Sequence, residues 1–230
     1  MNLNLVKIKG TLRGRLQLAL MVPLIALLTA CAAPKTPYDY AAFKQSRPKS
    51  IVVLPPVNET PEVKATMGVM TSSVYPLAEA GYYVLPVSVV AETFRQNGMT
   101  QPEDIHALPV NKLRDIFGAD AALYMHVKRY GTTYMVIRSD TTVVVDAKLV
   151  DLRSGATLWA GTASASSAEQ NNSGGGGLAG ALIGAVVNQV VNTATDAGFT
   201  YAGLANQRLL GAPVANGMLY GPRSANYLKD

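Results

Sequence analysis

Between Ala121 and Ala165 the residues alternate between apolar and polar, and this limits what the rest of the chain can build. From Ala121 to Tyr130, Leu123, Met125 and Val127 share one parity, while Tyr124, His126, Lys128 and Tyr130 share the other. From Arg138 to Asp151, Thr141, Val143, Val145, Ala147 and Leu149 oppose Arg138, Asp140, Asp146 and Lys148. A third stretch runs from Thr157 to about Ala165, after a turn at Arg153-Ser154-Gly155. A period of two with one apolar face predicts half-buried strands. Their short connections predict an antiparallel meander with one wetter face.

Upstream the pattern is of a different kind. Ile51-Val52-Val53-Leu54 is continuously apolar, as a strand buried on both faces must be, and Pro55-Pro56 stops it. Thr60 then fits an N-cap with Pro61 at the first helical position, and Val63, Met67, Met70, Val74 and Leu77 recur at helical spacing. Pro76 is expected to kink or split that helix, and Gly81 to stop it. Tyr82 to Leu85 reads as a second strand and Val89 to Gln96 as a helix closing at Gly98. Thr100 and Glu103 have capping-box spacing before a helical turn through His106, and Leu113, Ile116 and Phe117 give a further helical face ending at Gly118. Strands alternating with helices imply parallel pairing under helical cover. The expected fold is a single α/β (α+β) domain. Its mixed sheet of about five strands is parallel first and an antiparallel meander last, with helices packed on it and a C-terminal apolar helix added.

That last helix is read from Leu178 to Val191, a run without charge that follows Gly174-Gly175-Gly176-Gly177. It is too short to cross a bilayer, which takes about 20 residues, so it must cover its apolar surface by packing. Gly180 and Gly184 permit close helix approach. The helix can pack on its own domain, on a partner subunit or on a membrane surface; in the second case Leu178, Leu182, Ile183, Val186, Val187 and Val190 are the candidate partner surface, for another protein or a second copy. A more polar helix continues from Thr193 to about Leu210, followed by coil.

At the other end, Lys7, Lys9, Arg13 and Arg15 precede an apolar run from Leu16 to Leu28, the layout of a secretory signal peptide. Leu28-Thr29-Ala30-Cys31 resembles the lipobox of bacterial lipoproteins. That resemblance implies cleavage before Cys31, a diacylglycerol thioether on its sulfur and an acylated amino terminus. Cys31 is the single cysteine, so once it is lipidated no thiol remains for disulfides, metal or catalysis. The formal net charge of +5 comes largely from the leader, which holds four of the 20 Lys and Arg and none of the 15 acidic residues. The mature chain is near neutral, which gives no case for nucleic acid binding. The expected organisation is a signal peptide over residues 1–30, a lipidated tether over 31–50 rich in Pro and Lys, the α/β domain over 51–168, a Gly-rich linker over 169–177 and a helical segment with tail over 178–230. Ala32 after the cysteine, where an aspartate would favour retention, resembles the outer-membrane sorting pattern of Gram-negative lipoproteins.

Three further stretches carry a family resemblance. Lys49-Ser50-Ile51-Val52-Val53-Leu54-Pro55-Pro56-Val57-Asn58 is similar to the opening strand of curli-secretion lipoproteins and of amino-terminal domains of Tol-type periplasmic proteins. Gly118-Ala119-Asp120-Ala121-Ala122-Leu123-Tyr124 resembles their entry to the third strand. Leu149 to Trp159, with Asp151 before the turn and Trp159 after it, resembles their last hairpin. Over most of Cys31 to Leu210 the chain resembles a lipoprotein family typified by a genome-derived neisserial surface antigen. The resemblance implies an α/β sandwich and a role in envelope transport or assembly, beside curli-secretion-like lipoproteins. A pore subunit would need extra alternating strands of about 9 to 11 residues, and none is visible.

No constellation for catalysis emerges. His106 and His126 have no acidic residue in ligand register beside both, and no nucleophile elbow occurs in a strand-turn-helix setting. Asp140 and Asp146 read as a solvated face, Asp151 as a turn former and Trp159 as a packing residue. No catalytic residue, metal or cofactor is expected. Two functions follow: a lipid-anchored structural or adaptor protein of the outer membrane, facing the periplasm or, as the alternative, the cell exterior, or a carrier for a small apolar or lipidic ligand. The wetter face with Tyr124, His126 and Tyr130 is a candidate docking surface.

Overall fold

The computed structural model describes residues 38–134, 139–171, 197–214 and 216–229, within a compact unit running from Asp39 to Asp230. Cys31, the glycine run and the helix read over Leu178 to Val191 lie outside the described residues.

Strand β1 (Ser50–Val53) pairs in parallel with β3 (Tyr83–Val84) on one side and β4 (Ala121–Tyr134) on the other. Its Ile51, Val52 and Val53 are all fully buried, the signature of a strand covered on both faces. Beyond β4, the strands β5 (Ser139–Asp151) and β6 (Thr157–Ser166) add antiparallel, giving the order β3-β1-β4-β5-β6. A sixth strand, β2 (Val57–Asn58), lies past Pro55-Pro56 and pairs in parallel with β4 at His126 and Val127. At two residues it is too short to show a period.

Helices α2 (Ala65–Ser72) and α3 (Val74–Glu79) connect the first strands to β3. Helices α4 (Val87–Gln96), α5 (Pro102–His106) and α6 (Val110–Phe117) connect β3 to β4. The two crossovers run in opposite directions along the sheet, so right-handed connections put them on opposite faces. On the α2 side, α8 (Ala197–Leu210) packs across β4, β5 and β6. Under it Leu123, Met125, Val127, Val143, Val145 and Leu149 are fully buried, each contributing roughly 1.5–3 kcal/mol. On the other side α4, α5 and α6 belong to the parallel end, and β5 and β6 expose Lys148, Ala160, Thr162 and Ser164. A short helix, α7 (Ala168–Asn171), follows β6.

The N-terminal edge of the unit departs from the tether expectation. Helix α1 (Ala41–Ser46) forms there, with Phe43 buried and the Ser46 hydroxyl donating to Asp151. Phe43, with the Tyr40 ring edge-on to it at 6.4 Å, docks these six residues, because the sheet end offers both an apolar floor and an acceptor. Asp151 itself accepts from the backbone N–H groups of Arg153 and Ser154, at 2.8 and 2.7 Å, forming the turn assigned to it. Asp120 accepts from the N–H groups of Lys49 and Ser50, at 2.9 and 3.2 Å, and pairs with Arg153. Two carboxylates thus fasten the start of β1, α1 and the last hairpin at one end of the sheet.

Helix α2 begins later than its spacing predicts. Thr60 bonds to Asn58 in a local turn, at 2.8 Å, and the first helical residue is Ala65. Val63 and Met67 are consequently exposed, and Ala65, Val69 and Met70 form the buried face with Leu77 of α3. The break ahead of Pro76 falls at Ser73, between α2 and α3. The expected capping box at Thr100 is also displaced. Pro102 takes the first helical turn, which makes Gln101 the cap, and no side chain bonds there. At the C-terminus the described helix α8 is not clearly apolar: it buries Tyr201, Ala205, Asn206 and Leu209 and exposes Phe199.

The tail beyond α8 is coil, as expected, but it is fastened. Trp159 Nε1 donates to the Asn216 carbonyl at 3.0 Å, Tyr40 to Gly217 at 2.5 Å and Tyr82 to Leu219 at 2.5 Å. Gly221 and Arg223 then donate their N–H groups to Ala80 and Gly81, at 2.7 and 3.0 Å. Gly81 has φ +98°, and a Cβ on Gly221 would stand 2.6 Å from its backbone, so this crossing needs glycine on both sides.

Candidate docking face and its polar cluster

The outer side of the meander holds the side chains singled out by alternation, with one exception. Tyr124 and His126 are on that side, paired with Lys148 and Asp146 of β5, but Tyr124 is only 5% exposed, covered by His106, so of the two only His126 is partly open to solvent. Tyr130 is not on that side. The register shifts between Val127 and Arg129, so Lys128 is an additional residue and the parity beyond it is inverted. Tyr130 therefore opposes buried Val143, and its ring packs against Gly68 of α2 and Gly198 of α8. A bulge cannot be read from alternation alone, although the adjacent cations Lys128 and Arg129, both exposed, are the signal that could have exposed it.

Around Tyr124 and His126 the elements bring together residues far apart in sequence. From α5, the His106 ring meets Tyr124 edge-on at 5.1 Å and His126 at 5.6 Å between centroids. His106 Nε2 lies 3.0 Å from the Pro55 carbonyl oxygen, which can only accept, so that nitrogen carries the proton. Burial drives the His106 pKa down to about 4, against a smaller opposing effect of the Pro55 bond. The ring is thus neutral at pH 7. Lys148 Nζ stands 5.0 Å from the centre of the Tyr124 ring, whose phenol is shifted upward by burial. At the other flank, Glu59 accepts from Lys128 at 2.5 Å and lies 3.4 Å from His126 Nδ1. The hydrogen bond from Lys128 leads the effects that hold the Glu59 carboxyl below its usual pKa, and Lys128 is correspondingly raised. Further out, Asp146 accepts from the Thr162 hydroxyl at 2.7 Å, ordering the exposed face of β6.

The result is a belt of fixed polar and aromatic groups, Lys148, Tyr124, His106, His126, Glu59 and Lys128, beside an open strand face. Beyond the belt, a polar groove of about 510 Å³ runs along Glu59, Lys128, Arg129 and Thr133. Its donors and acceptors are already partly satisfied within the protein, which lowers the entropy lost when a partner meets them. Sequence reading found Tyr124 and His126 but missed His106, Glu59 and Lys148 as their neighbours, because each arrives from another element. Of the other site residues expected, Cys31, Leu178, Leu182, Ile183, Val186, Val187 and Val190 all lie outside the described residues.

A family profile described as "Putative lipoprotein GNA1162-like" matches residues 38–223. The chain belongs to the GNA1162-like lipoprotein family. It is 50% identical over 200 residues to a Neisseria meningitidis serogroup B protein described as "Putative lipoprotein NMB1124/NMB1162", covering 86% of this chain and 92% of that one. The crystal structure of lipoprotein GNA1162 from Neisseria meningitidis is 53% identical, with a TM-score of 0.51 over 64% of this chain and 100% of the other. A weaker likeness joins the PelC dodecamer from Paraburkholderia phytofirmans, at 16% identity and a TM-score of 0.39, over 57% and 77% of the two chains. The resemblance of Cys31 to Leu210 to a lipoprotein family typified by a neisserial surface antigen, read together with the Lys49 to Asn58, Gly118 to Tyr124 and Leu149 to Trp159 motifs, is borne out at the level of that family. Two of those motifs also have a structural reason, since Asp120 and Asp151 are the carboxylates that close the sheet end.

Proposed function

We propose that this GNA1162-like protein is a lipid-anchored adaptor of the cell envelope, working by protein contact in envelope transport, secretion or assembly and without catalysis of its own. In this reading Cys31 carries diacylglycerol and a fatty amide such as palmitate. The domain faces the periplasm from the outer membrane, and its partners are other envelope lipoproteins, curli-secretion-like ones included, or a second copy. One observation supports it above the others: β5 and β6 present Lys148, Ala160, Thr162 and Ser164 to solvent beside a rigid polar belt, on a sheet whose other face is packed. An antiparallel sheet with one face solvated is stable alone, yet offers a flat surface with alternating chemistry. The carrier reading asks for a closed apolar cavity of about 300 Å³ or more between helix and sheet. The helix of that reading, Leu178 to Val191, lies outside the described residues; under α8, a different helix, Leu123, Met125, Leu149 and Trp159 are all fully buried or nearly so.

The test is site-specific photocrosslinking in cells, with the probe at Thr162 on the open face and a control at Glu92 on exposed α4. A discrete envelope partner captured from Thr162 and not from Glu92 supports the adaptor role. Equal, diffuse capture at both positions would sink it.

A further inference from the structure

A second surface has a different chemistry. Where α1 meets the fastened tail, a cleft of about 240 Å³ is lined by Phe43, Lys44, Arg47, Pro48, Tyr82, Leu219, Tyr220, Tyr227 and Leu228. Phe43, Pro48 and Tyr82 are buried and make its floor, and Tyr220, Tyr227 and Leu228 come from the tail. Lys44 and Arg47 are exposed at its rim, and neither forms an ion pair with a described carboxylate. The exposed Arg47 side chain donates to the Lys44 carbonyl through Nε, at 3.0 Å. The surrounding segments add Lys49, Arg223 and Lys229, against Asp39 and Asp230 as the acids of residues 39–50 and 218–230. Leu228 holds an unfavourable backbone angle, φ +64°, while leaving its side chain 60% exposed. Cations, tyrosines and an exposed leucine on one patch are the composition of a membrane-interface contact.

Chain length favours the same occupant, and here the argument rests on Cys31 being the lipidated residue. Only nine residues separate Cys31 from Ala41, the first residue of α1. Fully extended, such a segment spans no more than about 35 Å, so this end of the unit stays close to the bilayer whatever the rest does. We propose that the cleft seats the phosphate-bearing headgroup of an anionic phospholipid. Lys44 and Arg47 take the phosphate, Phe43 and Tyr82 lie against the first methylenes, and Leu228 enters the interface. The second attachment orients the domain, since an acyl anchor at the end of a tether fixes distance but not direction.

The decisive experiment uses the chain from residue 31 onward carrying Cys31→Ser, so that no acyl group contributes. Sedimentation is measured with vesicles of equal parts phosphatidylglycerol and phosphatidylcholine, and with phosphatidylcholine alone. The expected result is binding to the anionic vesicles only. It falls by about tenfold or more in Lys44→Glu/Arg47→Glu and is unchanged in a Lys112→Glu/Arg114→Glu control with the same charge change on α6. Circular dichroism checks that each variant is folded. A Leu228→Ser variant binds more weakly at every salt concentration. Equal binding to neutral vesicles, or undiminished binding of the Lys44→Glu/Arg47→Glu variant, would overturn the assignment. Competition by free glycerol phosphate at matched phosphate would also overturn the lipid source. Mass measurement of the native mature chain tests the anchor separately: an unacylated amino terminus removes the length argument and leaves the vesicle result standing.

Discussion

The Tyr130 hydroxyl occupies the place where any side chain at Gly68 would begin, 2.6 Å from an ideal Cβ. This contact ties β4 to α2, and the same ring is held from the other side by Gly198 of α8, where a Cβ would fall 2.5 Å from a ring carbon. Gly68→Ala is therefore expected to destabilise by about 1–3 kcal/mol, the usual range for overpacking. Tyr130→Phe should return part of that loss in the double variant, because the atoms next nearest to the Cβ are 3.3 Å away or more. A denaturant-unfolding cycle measures the coupling; strictly additive effects would contradict the contact.

Acid is predicted to act in two windows. His106 has its pKa lowered by burial to about 4 in the fold from the ordinary histidine value of 6.5, so the unfolded chain binds the extra proton between those values. Stability present above pH 6.5 is lost as pH falls toward 4, by about 1–2 kcal/mol once partial exposure is allowed for. His106→Gln should flatten this part of the stability curve. A second loss follows below about pH 4 from Asp120 and Asp151. Burial raises both carboxyls, but the N–H and hydroxyl groups bonded to them outweigh it and leave their pKa values below normal. Urea unfolding across pH resolves the two windows, and an unchanged slope in His106→Gln refutes the first.

Asp151→Ala should free α1 before it unfolds the domain. The carboxylate joins Ser46 to the hairpin turn, and its removal takes the acceptor from the part-buried N–H groups of Arg153 and Ser154, at about 0.5–1.5 kcal/mol for each bond lost. Hydrogen exchange should accelerate first in residues 41–46. Uniform acceleration over β4 and β5 would mean that the link is not local.

Trp159→Ala is expected to cost about 3–5 kcal/mol, as truncation of a large core aromatic does. The ring is 1% exposed, and its indole N–H holds the tail at Asn216. The informative readout is proteolysis: cleavage should appear within residues 212–229 before the sheet is cut.

Cys31→Ser should abolish acyl labelling and release the protein from the membrane fraction, while thermal unfolding stays as in the unlipidated wild type. Retained labelling would place the anchor elsewhere.

Much of this architecture was legible because burial imposes periodicity. Val143, Val145, Ala147 and Leu149 betray β5 through alternation, and β1 shows itself by four apolar residues in a row. The inversion at Tyr130 was not, since one inserted residue leaves each half of β4 looking regular. Helix α1 escaped for another reason: its stability comes from Phe43 and Asp151, one of them more than a hundred residues away. The polar belt was half legible. Tyr124 and His126 share a strand, whereas His106, Glu59 and Lys148 join them only through the topology.

The unequal ends of the sheet limit how copies could add to one another. On one margin β3 offers two residues, with the Arg223 guanidinium over its Tyr83 ring; on the other, β6 is ten residues long with β5 as its one strand neighbour among the described residues. Filaments that lengthen by strand addition require two compatible margins, and a two-residue strand cannot template a ten-residue one. Joining through β6 would bring like to like about a two-fold axis and then halt, so that route ends in a closed pair.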